Sequence, residues 1–487
     1  MSVVSYIFIV FFAVTVLIYY IVPKKIQWWV LLAASAVFYA YSGIDDLLIV
    51  VGTAFLVYPL TMLMEKNLEE QDRLLLDADK RAARKIKTAQ KKKRKKYLVL
   101  ALLIVIGALI VFKVTGFAIE NIKRFLPYEA IQRIPDWHFP APLGVSFYSF
   151  MMISYLVDVY NGRIHAQKNF LKYLSYVLYF PHITQGPIAR YELVAHQLWE
   201  KHKFDYDTVI KGTWLILWGA LKKMVMADRI SPFVTEVFKH SDQYEGMIFF
   251  LAAVMYSIQI YCDFSGCMDI VRGASECFGI TLGENFRRPY FSQTLPEFWR
   301  RWHISLGTWF REYVYIPLGG NRKGLYRQII NIAVVWFLTG LWHGASWNFI
   351  LWGLYFGVLL MIEKLFMLKV LKKAPAIISH IYSIIIILFG WVLFYFENLN
   401  EMGIFLARMF GSDGFMMSGD ISVKIISYIP LLIVSAITST PLISKLYHKI
   451  KSKPILYVID NAGCVLALLL CTAALVSSDY NPVSYTH

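Results

Sequence analysis

The chain has 487 residues, of which 57% are hydrophobic, 16% aromatic and only 17% charged, and its formal net charge is +16. An ordinary soluble domain is about 45–50% apolar and about 25% charged, so this composition excludes an ordinary soluble domain and points to a polytopic membrane protein. The five cysteines, Cys262, Cys267, Cys277, Cys464 and Cys471, fit neither a zinc motif nor a disulfide framework; they read as small buried hydrophobes, and no metal site is predicted.

Apolar runs long enough to cross a bilayer, about 20 residues each, lie near 4–22, 28–43, 46–64, 97–116, 143–160, 209–226, 246–262, 330–342, 348–363, 377–396, 425–440 and 456–476. The predicted class is therefore an all-α, multi-spanning integral membrane protein with about a dozen helices, some crossing and some re-entrant. The first run opens with "MSVVSYIF", without a basic n-region or a small-residue cleavage site, and is read as a retained span rather than a signal peptide.

The positive charge is concentrated in "KRAARKIKTAQKKKRKK" at 80–96, between two apolar runs. In a soluble protein such a run suggests nucleic acid. Between membrane spans, the retention of Lys- and Arg-rich loops in the cytoplasm accounts for it, with contact to anionic lipid or a specific partner as further roles. Working back from that loop, "GIDD" at 43–46 falls outside and Lys24 and Lys25 inside, which puts the N-terminus outside. Forward from it, residues 117–140 are expected to be extracytoplasmic. No nucleic-acid partner is predicted.

Four stretches follow: N-terminal transmembrane helices over 1–136 with a basic cytoplasmic loop at 65–96, a core over 137–363, C-terminal transmembrane helices over 364–476, and a tail over 477–487. The core differs in character, mixing apolar runs with polar residues and helix breakers in "PLGVSFYSF", "YFPHITQGPIAR", "IYCDFSGCMDI" and "FWRRWHISLGTWFREYVYIPLGGNRKG". Such residues survive at membrane depth only inside protein or along a wet cavity, so this block is expected to build the cavity.

Within "PEFWRRWHISLGTWF", Trp299, Trp302, His303, Leu306 and Phe310 follow helical spacing and would share one face, with Arg300, Arg301 and Arg311 toward head groups or water. The pattern suits a tunnel-mouth helix or an interfacial anchor equally. His343, in "WFLTGLWHGASWNFILWG", is a titratable ring in apolar surroundings, which is a functional hypothesis by default; a structural role, bonding a backbone carbonyl, is the alternative. Gly340 and Gly344 would allow a ligand or another helix to approach closely. A neutral imidazole takes a proton from a hydroxyl and returns it, which is acyl-transfer chemistry. No GxSxG elbow, HExxH or Walker loop occurs. "LGGNRKG", with Asn321 and Arg322, reads either as a turn at the cytoplasmic edge or as a grip on a phosphorylated or carrier-borne donor.

These segments resemble the membrane-bound O-acyltransferase family and, within it, the bacterial alginate O-acetyltransferase (AlgI-like) branch. The resemblance rests on "PLGVSFYSFMMISYLVDVYNG" (142–162), "QGPIAR" (185–190), "LKKMVMADR" (221–229), "YCDFSGCMDI" (261–270), "ENFRRPYFSQTLPEFWRRWHISLGTWFREYVYIPLGGNRKG" (284–324) and "NIAVVWFLTGLWHGASWNFILWG" (331–353), in the expected order. It implies a helical fold around a central funnel or tunnel and two catalytic histidines, His343 at the bottleneck and His303 near it. Asp263, in a segment similar to the family's DFSGY with Cys267 in place of the aromatic, is implied to orient a histidine or satisfy the cavity wall, with a role in helix packing as the alternative. Trp342, Asn321 and Arg322 are further candidates to orient groups or line the tunnel. The terminus "DYNPVSYTH" matches the branch's closing tyrosine at Tyr485 and departs from its pattern at Val483, Ser484 and His487; a terminal phenol is a candidate acyl carrier, and a frayed end is the alternative.

The resemblance implies an O-acyltransferase without a tightly bound cofactor. It would move a small acyl group, acetyl before others, from a cytoplasmic thioester (acetyl-CoA or an acyl-carrier protein) toward an extracytoplasmic polysaccharide hydroxyl. A secreted or membrane-anchored SGNH/esterase-like acyltransferase is the expected protein partner, membrane lipid the surroundings, and the bacterial inner membrane the location. Two alternatives stay open: a transporter of donor or polymer without chemistry, and D-alanyl transfer to teichoic acid.

Overall fold

The computed structural model describes residues 1–132, 139–183, 185–412, 414, 419–438, 440, 445–446, 449–450 and 453–477, and all regular structure in them is helical. Among the described residues seven helices are long and apolar enough to cross a membrane: Ile44–Leu75, Lys80–Lys113, Ile248–Glu276, Gly324–His343, Trp347–Leu371, Ala376–Tyr395 and Pro454–Val476. Tyr6–Ile21 and Ile425–Thr438 are shorter apolar helices. The chain is an all-α, multi-pass membrane protein. It divides into two compact units at 209/210, with Ala274–Gly283 returning to the first.

In the first unit, α1 (Tyr6–Ile21) and α2 (Gln27–Ser42) precede the long pair α3 (Ile44–Leu75) and α4 (Lys80–Lys113), followed by α5 (Val145–Asn161) and α6 (Phe170–Leu178). The expected basic loop at 65–96 is not a loop: both helices run through it, and only 76–79 turn. Lys, Arg, Gln, Glu and Ala are strong helix formers, and Asp79 caps α4 by accepting from the Ala82 N–H at 2.6 Å. Between the helices, buried Arg94 donates to Asn67 Oδ1 at 3.2 Å and to Gln71 Oε1 at 3.0 Å.

The segment after α5 is sewn onto this pair. Glu65 accepts the Ala166 N–H at 2.8 Å and meets His165 Nδ1 at 2.9 Å, and Lys91 donates to Asn161 Oδ1 at 3.2 Å. These bonds explain why residues 139–209 join the N-terminal unit and why the compact division falls within the 137–363 block.

In the second unit, α7 (Tyr206–Ala220) runs through a π-helical turn at Leu221–Ala227 into α8 (Asp228–Lys239) and is followed by α9 (Ile248–Glu276). A Cβ on Gly219 would lie 2.5 Å from the Gly266 carbonyl oxygen, and one on Gly266 would lie 2.7 Å from that of Gly219, so α7 and α9 cross backbone to backbone. Beyond the crossing, Lys222 donates to Ser265 Oγ at 3.0 Å and to Asp269 Oδ2 at 2.6 Å. Lys223 sits between Asp228 at 2.7 Å and Asp263 at 2.8 Å. Burial works against the charge on Lys223 Nζ, but the Asp263 and Asp228 carboxylates outweigh it and raise its pKa above the ordinary lysine value.

The remainder of the unit comprises α10 (Leu295–Arg301), α11 (Ile304–Phe310), α12 (Gly324–His343), α13 (Trp347–Ile362), α14 (Ala376–Tyr395), α15 (Leu399–Met409), α16 (Gly419–Thr438) and α17 (Lys453–Ser477). Helices α12 and α13 form a hairpin across the link 344–346. Their backbones nearly touch: a Cβ on Gly340 would stand 2.3 Å from the Phe349 carbonyl oxygen, and one on Gly353 2.3 Å from that of Trp336. Gly340 thus serves the approach of a helix. Four of the five cysteines are buried, as small hydrophobes are, and Cys464 is partly buried.

Candidate active site

The predicted single helix through "PEFWRRWHISLGTWF" is broken at its histidine. α10 ends at Arg301, Trp302 is extended, and His303 adopts a left-handed conformation with φ 46° and ψ 56° before α11 begins. For a residue with a Cβ this region costs about 1–2 kcal/mol, so surrounding bonds must impose it.

Those bonds come from Asn285, which is 2% exposed. Its carbonyl oxygen accepts the Ile304 N–H at 3.0 Å, and its side-chain Oδ1 accepts the Ser305 N–H at 2.8 Å. Two residues on, the Arg287 N–H donates to the Arg301 carbonyl at 2.9 Å. Segments 285–288 and 301–305 therefore clamp each other, and Arg288, with φ 51°, is the only other described non-glycine residue at positive φ. The far end of α10 is held by Glu363, fully buried, whose carboxylate oxygens meet the Leu295 N–H at 3.1 and 3.2 Å.

Held in this way, the His303 ring is 3% exposed, and neither of its nitrogens has a hydrogen-bond partner among the described residues. Its ring packs edge-on to Phe264 at 4.9 Å and against Trp342 at 5.9 Å between centroids. His303 lies outside the seven long apolar helices, and burial pushes its imidazole pKa down to about 3. The ring is therefore neutral across the physiological range, able to accept at one nitrogen and donate at the other.

His343 is the last residue of α12, and Gly344 continues in extended backbone with its N–H on the Gly340 carbonyl at 3.3 Å. The ring is half-buried in an aromatic enclosure: Trp342 at 4.8 Å, Trp352 at 5.0 Å, Phe394 at 5.3 Å and Phe349 at 6.3 Å. Asn348 fastens the enclosure by donating to the Phe394 carbonyl at 3.3 Å.

The Trp342 indole packs against both imidazoles, which brings His303, Trp342 and His343 together. Asp263 stands one residue before Phe264 but pairs with Lys223. Among the described residues it has no hydrogen bond to a histidine, and burial beside a lysine explains why. Asn321 and Arg322 are exposed in the turn before α12, at the opposite end of that helix from His343. At 1.5 Å per residue this separates them by about 30 Å, so they do not join the histidine site. Their turn is built from glycines at positive φ (Gly319, Gly320, Gly324) and braced by Asn331, which donates to the Gly320 carbonyl at 3.0 Å. Tyr485 lies outside the described residues.

Asn285, Phe264, Trp352 and Phe394 complete the site without having been read from the sequence. Asn285 lies in a quoted motif, "ENFRRPYF", where a polar residue beside a helix break is a capping signal. Phe394 is some fifty residues from His343 and carries no local signal at all.

Residues 85–405 match the membrane-bound O-acyltransferase family. The probable alginate O-acetylase AlgI of Azotobacter vinelandii is 32% identical over 401 residues, 82% of this chain and 76% of the relative. The peptidoglycan O-acetyltransferase of Helicobacter pylori is 30% identical over 347 residues, 65% of each chain. The teichoic acid D-alanyltransferase of Bacillus subtilis is 28% identical over 231 residues, 45% of this chain and 58% of the relative.

Proposed function

The chain belongs to the membrane-bound O-acyltransferase family, and from that premise we propose that it passes an acetyl group from a cytoplasmic thioester across the bacterial inner membrane for O-acetylation of an extracytoplasmic polysaccharide. Family membership decides against a transporter without chemistry. The alginate and peptidoglycan O-acetylating relatives support acetyl and a polysaccharide acceptor over D-alanyl and teichoic acid, since they match more of the chain at higher identity.

The observation that carries this reading is the pair of imidazoles on either side of Trp342, one of them buried with neither nitrogen hydrogen-bonded among the described residues. A buried polar atom without a partner is rare in a folded protein, and a reacting hydroxyl or thioester carbonyl would satisfy it. His343 takes the proton from the attacking hydroxyl, whose oxygen bonds to the acyl carbon as the carbon–sulfur bond breaks; the proton then goes to the departing thiolate. His303, neutral at every physiological pH, holds donor or acceptor by hydrogen bonding. Trp342 fixes the spacing of the two rings.

Lys- and Arg-rich residues 80–96 put that end of α3 and α4 in the cytoplasm and the N-terminus outside. The polymer is reached with a secreted or anchored esterase-like acyltransferase, and Tyr485 is the proposed carrier that hands the acetyl group on. In a strain lacking the gene, the wild-type chain should restore ester-linked acetate on exopolysaccharide or peptidoglycan, read by mass spectrometry, and His343→Ala should not. Full restoration by His343→Ala sinks the reading; full restoration by Tyr485→Phe removes the carrier step alone.

A further inference from the structure

Residues 65–96 carry thirteen Lys and Arg against six Asp and Glu, and they form two helical segments joined at 76–79 instead of a loop. On α4, buried Gln90 and Arg94 and partly buried Ala82, Ala83 and Ile86 recur at helical spacing and define one face. Lys80, Arg81, Arg84, Lys85, Lys87, Lys92, Lys95 and Lys96 are all exposed on the opposite half of the helix. None of these eight side chains has an ion pair among the described residues, in contrast to Lys93, which pairs with Glu70 at 3.3 Å.

Anionic lipid accounts for only part of this stripe. The apolar run of α4 starts after Lys96, so Lys92, Lys95 and Lys96 lie at the head groups, a layer about 5–8 Å deep. At 1.5 Å per residue, Lys87 stands about 13 Å beyond Lys96 and Lys80 about 24 Å beyond it. The field of the lipid surface decays over about 8 Å at physiological salt. The five distal cations, Lys80, Arg81, Arg84, Lys85 and Lys87, are therefore mostly out of its reach.

We propose that the distal half of α4 is the docking surface for a soluble acidic protein that brings the acyl group as a pantetheine thioester. This rests on the acyltransferase reading and narrows the donor from two thioesters to the protein-borne one. A stripe of cations on one side of a helix complements an acidic protein face, which speeds encounter and weakens with salt. Coenzyme A, a small donor, has no use for five cations spread over a helix about 11 Å long.

The test uses the full chain in nanodiscs of zwitterionic lipid and, in parallel, of lipid with an anionic fraction, with acetyl-loaded acyl-carrier protein and acetyl-CoA as separate probes. Replacing the five distal cations by Gln should weaken carrier binding about tenfold or more, about 1.4 kcal/mol per decade. Thiol release from acetyl-CoA should be unchanged, and Lys92, Lys95 and Lys96 to Gln should leave carrier binding intact. Unchanged carrier binding in the distal variant overturns the proposal. So does a binding loss seen only with anionic lipid present, which would make the membrane the occupant. Carrier binding that depends on the distal cations in a wild-type chain that releases no thiol from either probe supports docking and refutes the acyltransferase reading separately.

Discussion

Replacing Asn285 by Ala removes the Oδ1 that accepts the Ser305 N–H at 2.8 Å while leaving the backbone bond from Ile304 in place. Taking the acceptor from a part-buried N–H costs about 1–2 kcal/mol, comparable with the about 1–2 kcal/mol that the left-handed conformation of His303 costs. With the clamp and the strain so nearly balanced, His303 should leave its position in about half of the molecules. This predicts a kcat reduced about twofold, with KM for the thioester nearly unchanged because the enclosure of His343 is untouched. Asn285→Asp keeps an acceptor oxygen and should recover much of the rate. The assay is transfer of labelled acetyl from a thioester by purified protein, with thermal unfolding measured alongside. Wild-type kcat in Asn285→Ala, or equal losses in the Ala and Asp variants, would refute the reasoning.

Gly340→Ala sets a methyl 2.3 Å from the Phe349 carbonyl oxygen and should lower the unfolding temperature by the equivalent of about 1–3 kcal/mol. Gly107→Ala meets no atom within 4 Å and should be neutral or stabilising, so equal effects in the two would contradict the close crossing of α12 and α13. Lys223→Met strands Asp263 and Asp228 and should cost up to about 3 kcal/mol, less than for a fully buried pair, whereas Asp263→Asn leaves Asp228 to pair and should cost less. Adding Asp263→Asn to Lys223→Met should then recover stability, and strict additivity in thermal unfolding would show that the pair is not coupled. Because burial holds the His303 pKa near 3, below the usual 6.5, its native ring stays neutral from pH 8 down to about 4, and any stability it lends is lost only as pH falls from about 6.5 toward 3. His303→Gln should lower the rate by the same factor at every pH between 5 and 8; an acid limb near 6.5 that vanishes in the variant would show that His303 titrates during turnover.

The helices were legible because a membrane makes hydropathy the strongest pattern in a sequence: each of the twelve apolar runs falls on a helix, though α3, α4 and α9 run well beyond theirs and α12 and α16 begin six residues before theirs. The excess of α3 and α4 was missed because hydropathy does not distinguish a charged helix from a charged loop, although the helix-forming residues of 80–96 signal it. His303 and His343 stand out as costly polar rings in apolar segments, and their proposed roles come from the resemblance of the surrounding motifs to the family. Periodicity misread the backbone at His303, since the side chains of 299–310 fit a helix and only the bonds from Asn285, eighteen residues upstream, break it. The sequence leaves Asp263 between orienting a histidine, satisfying the cavity wall and helix packing, because its partner, Lys223, lies forty residues away on the π-helical turn. Asn321 and Arg322 are close to His343 in sequence but a helix length away in space.

The central claim is that His343 performs acyl transfer, and the measurement that meets it most directly is transfer of labelled acetyl from a thioester by purified His343→Ala and His343→Gln in nanodiscs. A general base that works among apolar walls contributes about a hundred- to ten-thousandfold, so both variants should fall by at least the lower figure while keeping wild-type unfolding temperatures. Transfer at wild-type rate in both would contradict the account.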